Sequence, residues 1–251
     1  TQAKDTLSLH DALPICNQKW ARALTAINPA TLTATGKRNR ALAQYMLEQR
    51  SLAARDFGLD SVQRPYRLFQ QGGAYFEIPD FLNSQHTINS AADAEAYLSR
   101  LSAFARVLDE DTAEQKAQSA RGFTAPGWSI DLTLGQLAKL RGPAAADSGM
   151  VQSLASRAKA KGVAGDWAAR AAKIVESAVY PALDRQIALM TALRAKTAAG
   201  DGAWRLPRGA DIYAAALQQA TTTSMTPDQV HQAGLDQEIG RSTRLNSSHD
   251  Q

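Results

Sequence analysis

Ser90-Ala91-Ala92-Asp93-Ala94-Glu95-Ala96-Tyr97-Leu98-Ser99-Arg100-Leu101-Ser102-Ala103-Phe104-Ala105-Arg106-Val107-Leu108 decides the fold class. Tyr97, Leu101, Phe104 and Leu108 recur at spacings of four, three and four. That period places them on one face of an α-helix. Ser90-Ala91-Ala92-Asp93 has the form of a capping box, in which the hydroxyl and the acid three residues on satisfy the free amides of the first turn. The pattern predicts a long amphipathic helix from Ser90 to about Arg121, ended by Gly122 and Pro126.

Helical signals continue on both sides. Asn17–Ile27 reads as a short helix stopped by Asn28-Pro29, because a residue before proline is pushed out of the helical region. Thr35-Gly36 is expected to break the chain. Lys37–Phe57 then reads as a helix with Leu42, Tyr45, Met46, Gln49 and Leu52 on or near one face, closed by Gly58. Downstream, Ile130, Leu134 and Leu137 mark a helix closed by Gly142-Pro143, and Met150–Ala160 a shorter one. Asp166 is expected to cap a long helix over Trp167–Ala198, either kinked at Pro181 or split in two at Tyr180-Pro181. Asp211–Thr221 follows. Thr226-Pro227-Asp228-Gln229 then starts a last helix, with Thr226 as cap, Pro227 at the first position and Gln229 reaching back.

Asp60–Asn89 loses the period. Pro65, Gly72, Gly73 and Pro79 punctuate it, and Tyr66, Phe69, Tyr75, Phe76 and Phe81 give it bulk. It reads as a structured loop packed by its own side chains, with a short helix over Pro79–Asn83. Such a loop either lines a cleft or closes over the core, and the second is the plainer reading. With no credible hairpin and no repeat, the expected fold is all-α: an antiparallel helical array with one irregular, aromatic-rich loop.

Composition agrees with that class. Of the 251 residues, 44% are hydrophobic and only 6% aromatic, and alanine dominates the apolar fraction, which favours helix. No run reaches the roughly 18 to 20 apolar residues of a membrane span. Leu7–Ile15 holds His10 and Asp11, so no signal peptide is legible there. The net charge of +4 is spread along the chain apart from Lys37-Arg38-Asn39-Arg40. A nucleic-acid binder would concentrate it with aromatics interleaved, so no nucleic-acid partner is expected. Cys16 is the only cysteine, which excludes an internal disulfide but leaves the compartment open.

The two ends read as foreign. Ser8-Leu9-His10-Asp11-Ala12-Leu13-Pro14-Ile15 resembles one frame of a common sequencing adapter. Ser242-Thr243-Arg244-Leu245-Asn246-Ser247-Ser248-His249 resembles a frame of the opposite one. Residues 1–16 and 240–251 are therefore expected to be non-native and not to pack, leaving 17–239 as a helical N-terminal domain truncated at both ends.

Residue chemistry nominates no catalytic, cofactor-binding or metal-binding residue. Helical zinc hydrolases place two histidines one turn apart with a glutamate beside the first. Here His86 and His231 stand far apart, and neither has a His or Cys neighbour at ligand spacing; each reads as a surface or satisfied helical histidine. No nucleophile elbow or phosphate loop exists, and Gly72-Gly73 and Gly200-Asp201-Gly202 match neither glycine pattern. Asp109-Glu110-Asp111 reads as a solvated helix face. Thr221-Thr222-Thr223 reads as a loop satisfying helix ends.

Tyr213–Leu235 carries more. Its order of tyrosine helix, Thr221-Thr222-Thr223, Thr226-Pro227, His231 and Gly234-Leu235 resembles a signature of the bacterial domain-of-unknown-function 885 family. Ala220 departs from it, since a histidine commonly precedes the threonines there. Gly72-Gly73 with Ile78-Pro79, Ala96-Tyr97-Leu98-Ser99-Arg100-Leu101 and Tyr180-Pro181-Ala182 agree in the right order. The resemblance spans nearly all of Asn17–Ile239.

Members of that family are similar to gluzincin-type zinc metallopeptidases of helical build. The resemblance implies a zinc cofactor in the complete protein, held by a H-E-x-x-P-G-H-H type motif downstream of the Gly-Leu and outside this chain. It also implies an exported, periplasmic or cell-envelope protein, a peptide substrate, and the missing C-terminal half of the same chain as partner. The chain alone is then the incomplete half of a larger fold, walling a cleft and inactive, with some apolar residues of Tyr213–Ile239 exposed. The competing expectation is a helical binding or scaffold domain without catalysis.

Overall fold

The computed structural model describes residues 9–197 and 199–247, with side-chain surroundings for 17, 19–197 and 199–238. The elements are α1 (Leu9–Ala26), α2 (Ala34–Leu52), α3 (Ala74–Asp80), α4 (Ala91–Ala120), α5 (Gly127–Arg141), α6 (Gly149–Ala160), α7 (Trp167–Ile174), α8 (Tyr180–Lys196), α9 (Gly209–Thr221) and α10 (Pro227–Ser247). No strand occurs among the described residues beyond an isolated Phe69–Gly72 bridge, so the all-α expectation holds. No described helix is long and apolar enough to cross a membrane. The chain divides into two compact units: one runs up to Arg64 and resumes at Arg208, and the other is Pro65–Pro207.

The Pro65–Pro207 unit holds the connected apolar core, which runs from Leu68 to Met190. Its centre is the predicted face of α4: Tyr97, Leu101, Phe104 and Leu108 are fully buried, each stabilising the fold by about 1.5–3 kcal/mol. The cap forms as expected. Ser90 Oγ accepts from the Asp93 amide at 3.2 Å, and Asp93 Oδ2 accepts from the Asn89 amide at 3.0 Å. α4 packs on α8 above all and also on α3, α6 and α7, while α5 packs on α8.

Helix continuity near proline differs from expectation. A helix starts at Ala74, before Pro79, and widens into a π-helical turn over Phe81–Gln85. The helix expected over Pro79–Asn83 thus begins earlier, at Ala74, because proline marks a start in sequence but here sits in the second turn, where it costs one backbone bond. Trp167–Lys196 is one helical course through Pro181, with a π-helical turn at Val175–Val179 just upstream. The wider turn shifts the hydrogen-bond register where proline lacks its amide. Asp166 occupies the cap position but its side chain makes no capping bond.

The aromatic-rich segment closes over the core, with Leu68, Ala74, Tyr75 and Leu82 in the buried cluster. Gly73 takes φ +109°, and a Cβ there would lie 2.7 Å from Leu68 Cδ2. The Gly72-Gly73 pair is thus a packing requirement.

The unit built from α1, α2, α9 and α10 buries little. α2 begins at Ala34, one residue after Thr33, whose Oγ1 accepts from the Gly36 amide at 3.1 Å. The expected break at Thr35-Gly36 is a capped helix start instead. Gly58 closes the π-helical continuation of α2 at φ +63°, as its position predicted. The predicted apolar face of α2 is not buried: Leu42 and Met46 are exposed, and α2 has no fully buried residue. α9 buries Ile212 rather than Tyr213. α10 starts at a reciprocal capping box, with Gln229 Oε1 accepting from the Thr226 amide at 2.8 Å and Thr226 Oγ1 from the Gln229 amide at 3.3 Å. Tyr213, Met225 and Leu235 are exposed, as expected of Tyr213–Ile239. The backbones of α1 and α10 run into the adapter-like stretches, whose side chains lie outside the described residues.

One expectation fails informatively. Asp109 and Glu110 do lie on a solvated face, paired with Arg185 and Arg106. Asp111 does not: its side chain is 2% exposed and holds Arg67 Nε at 2.6 Å. Removing one partner of a buried pair strands the other charge, at about 3–5 kcal/mol. Asp111→Ala should therefore lower the urea-unfolding free energy by about 3–5 kcal/mol, and Asp109→Ala by under about 1 kcal/mol. Equal losses from the two adjacent acids would refute the assignment.

Candidate functional site

The Pro65–Pro207 unit holds three polar groupings that could form a site. The first is a row on α4. Asp111, Gln115 and Gln118 lie four and three residues apart and are buried. Each receives a backbone amide of the 67–74 segment: Asp111 Oδ2 from Ala74 at 2.6 Å, Gln115 Oε1 from Leu68 at 2.8 Å, and Gln118 Oε1 from Arg67 at 2.8 Å. The Gln115 amide nitrogen donates onward to Ser119 Oγ and to the Phe123 carbonyl. Tyr75 Oη donates to the Phe69 carbonyl at 2.7 Å and meets Gln136 Oε1 at 2.9 Å, and burial pushes its phenol up to about 12. These polar atoms satisfy a strandless loop and leave no free group aimed at a ligand.

The second is centred on His86, at the C-terminal end of the Phe81–Gln85 turn. Arg100 Nη1 lies 2.6 Å from its Nδ1, and the Asp93 carbonyl 3.0 Å from its Nε2. A guanidinium only donates and a carbonyl only accepts. Nδ1 is therefore the acceptor and Nε2 carries the proton. Arg157 from α6 donates to the carbonyls of His86 at 2.5 Å and Leu82 at 2.7 Å, placing a cation at a helix C-terminus. The His86 ring stands edge-on to Tyr97 at 5.3 Å. With both nitrogens engaged, His86 is a satisfied structural histidine, but it sits in extended backbone at the end of the turn rather than within a helix. It is buried, not on the surface.

The third is an open groove of about 650 Å³ beside α4, the Val175–Val179 turn and α8, lined in part by Ala113, Ala178 and Pro181. Its charges pair among themselves: Asp109 with Arg185 at 2.8 Å, and Arg106 with Glu110. No charge is left to select a ligand.

In the other unit, His231 lies exposed on α10. Thr221 Oγ1 donates to the Leu217 carbonyl and meets Thr223 Oγ1 at 3.0 Å, and Thr222 takes the left-handed conformation that ends α9. The threonine run thus satisfies a helix end, as its position implied. Among the described residues no three His, Cys, Asp or Glu side chains gather as a metal site. Cys16, His10 and His249 have no described side chains. What sequence reasoning missed is the Asp111 row; its signal is a polar residue every third or fourth position on α4, continuing the apolar stripe of Leu101, Phe104 and Leu108.

The chain belongs to the family of bacterial proteins of unknown function DUF885, whose profile matches residues 10–240. No curated protein matches it. The fold is similar to a crystal structure described as that of the putative lipoprotein from Colwellia psychrerythraea, at 18% identity and a TM-score of 0.83. That match covers 92% of this chain and 41% of the Colwellia chain, so this chain spans about two-fifths of that protein's length.

Tyr97 generates a pH test. Its Oη donates to the Met150 carbonyl at 2.7 Å, and burial pushes the phenol up to about 12. An unfolded tyrosine ionises near 10. The folded value being the higher, this contribution is complete below about pH 10 and is lost as pH rises toward 12. Tyr97→Phe should lower stability by about 1 kcal/mol at pH 8 and flatten the decline of the urea midpoint between pH 10 and 12. An unchanged slope would contradict it.

Proposed function

We propose that this chain is the helical wall of a larger zinc metallopeptidase-like protein of the bacterial cell envelope, framing a peptide cleft without supplying a metal ligand. The reading takes residues 17–239 as the family's own sequence and the adapter-like stretches at either end as foreign. One observation carries it: the fold accounts for nearly all of this chain but only 41% of the related Colwellia chain. More than half of such a protein is then available to carry the chemistry. The description of the Colwellia protein as a lipoprotein supports the envelope location.

The described residues do not fit a zinc site. Zinc needs three or four nitrogen, sulfur or oxygen ligands converging on one point. His86 has no free nitrogen, and His231 stands on an exposed helix with no converging set around it. This reading therefore assigns no zinc chemistry to His86 or His231. Their contribution is rigidity: the Asp111 row and the α4 core hold the 67–74 segment in one place, as a cleft wall requires.

The test compares this chain with the product of the uninterrupted gene. Both are equilibrated with zinc sulfate, dialysed against a chelator and analysed for metal and for peptide hydrolysis. The longer protein should retain about one zinc and cleave peptides, and the 251-residue chain should do neither. Tight zinc retention by the chain alone would overturn the assignment. A longer protein with neither zinc nor hydrolysis would favour a helical scaffold.

A further inference from the structure

The positive charge of this chain is not evenly shared. Residues 17–47 carry five cations, Lys19, Arg22, Lys37, Arg38 and Arg40, and no acid. The whole chain has a net charge of +4, so everything outside this stretch sums to −1. In sequence the five stand in two groups, one on each of two helices. The fold brings the groups together, because α1 packs on α2 and Arg40 Nε donates to the Leu24 carbonyl at 3.0 Å. None of the five pairs with an acid among the described residues, whereas Arg106, Arg141, Arg170, Arg185 and Arg194 of the Pro65–Pro207 unit each do. The next acid along the chain, Glu48, accepts from Gln44 Nε2 at 3.1 Å. Asp228, Asp236 and Glu238 stand on α10, which among the described residues packs extensively on neither helix.

Apolar residues lie among these charges. Arg38, Leu42, Met46 and Arg50 follow one another at intervals of four along α2, and all four are exposed. That interval sets them on one side of the helix. On α1, Trp20 is 61% exposed and stands in sequence between Lys19 and Arg22. Like charges held this close repel one another, and an anionic surface within a Debye length, roughly 8 Å, relieves the repulsion. Phosphate alone would answer the cations. Leu42 and Met46 between two arginines further suit an anionic surface with an apolar layer behind it, which is the headgroup and acyl boundary of a bilayer. We propose that the α1–α2 hairpin docks on an anionic membrane surface and lies on it without crossing. Charge singles out this face, since exposed apolar residues such as Trp128 and Leu132 occur in the other unit too. The inference goes beyond the proposed function and stands whether or not the longer protein is a peptidase.

The experiment measures co-sedimentation of the 251-residue chain with vesicles of phosphatidylcholine and phosphatidylglycerol in equal parts, and with vesicles of phosphatidylcholine alone. Binding should require the anionic lipid and fall steeply as sodium chloride is raised. Each cation near such a surface is worth about fivefold in partitioning, so Lys37→Gln with Arg38→Gln should weaken binding by about tenfold or more. Lys139→Gln with Lys173→Gln removes the same charge from exposed positions of the other unit and should leave binding unchanged. Leu42→Ser with Met46→Ser keeps every charge and should also weaken it. The substituted side chains are exposed, so helical circular dichroism should be preserved. If the Lys37 and Arg38 double variant loses helicity, Lys37→Gln alone, with an expected loss of about fivefold, carries the test. No binding to the anionic vesicles, equal binding to the neutral ones, or an equal loss in the Lys139 and Lys173 variant overturns the proposal. So does tighter binding to duplex DNA that is indifferent to Leu42→Ser with Met46→Ser, since the occupant is then a nucleic acid.

Discussion

An irregular segment in an all-helical protein must find acceptors for its backbone amides, and here α4 supplies them from side chains. Arg67, Leu68 and Ala74 donate to Gln118, Gln115 and Asp111. A buried amide without a partner costs about 1–3 kcal/mol, and no strand among the described residues offers a carbonyl. Once these amides are held, Leu68 can enter the core, Gly73 can pass close to it, and α3 can start at Ala74. Arg67 completes the arrangement by neutralising Asp111 from the segment that the acid is holding. α4 thus serves as both the apolar centre of the unit and its polar anchor.

This division of labour explains what was legible in the sequence. Tyr97, Leu101, Phe104 and Leu108 announce themselves because apolar periodicity has one common cause. Ser90, Thr226 and Gly58 are equally plain, since caps depend on local backbone chemistry. Asp111 is easily passed over although its spacing continues the α4 stripe, because its partners Arg67 and Ala74 lie in a segment with no period of its own, and beside Asp109 and Glu110 it looks like one more surface acid. The π-helical turns before Pro181 and after Pro79 were hidden for a related reason: a register shift leaves no mark in residue type. Leu42 and Met46 show the converse: spacing can place residues on one helix face without saying whether that face is buried.

The same contrast bears on function. His86 and the Thr221–Thr223 run were the polar features most open to a catalytic reading, and each is consumed by structure: the histidine between Arg100 and the Asp93 carbonyl, the threonines at the end of α9. For the candidate site there was nothing to read beyond these residues, and the family resemblance was carried by the spacing of the Thr-Pro segment. The Pro65–Pro207 unit carries a connected buried core, whereas α2 and the described residues of α10 include none that is fully buried.

The central claim is that the α4 row orders the 67–74 segment as firmly as the core orders α4. Native-state hydrogen exchange of the Arg67, Leu68 and Ala74 amides tests it directly. The account predicts that these three exchange only with the slowest amides of Leu101–Leu108, with the same dependence on added urea. Exchange of the three within seconds while α4 stays protected would show that the segment opens by itself, and would contradict it.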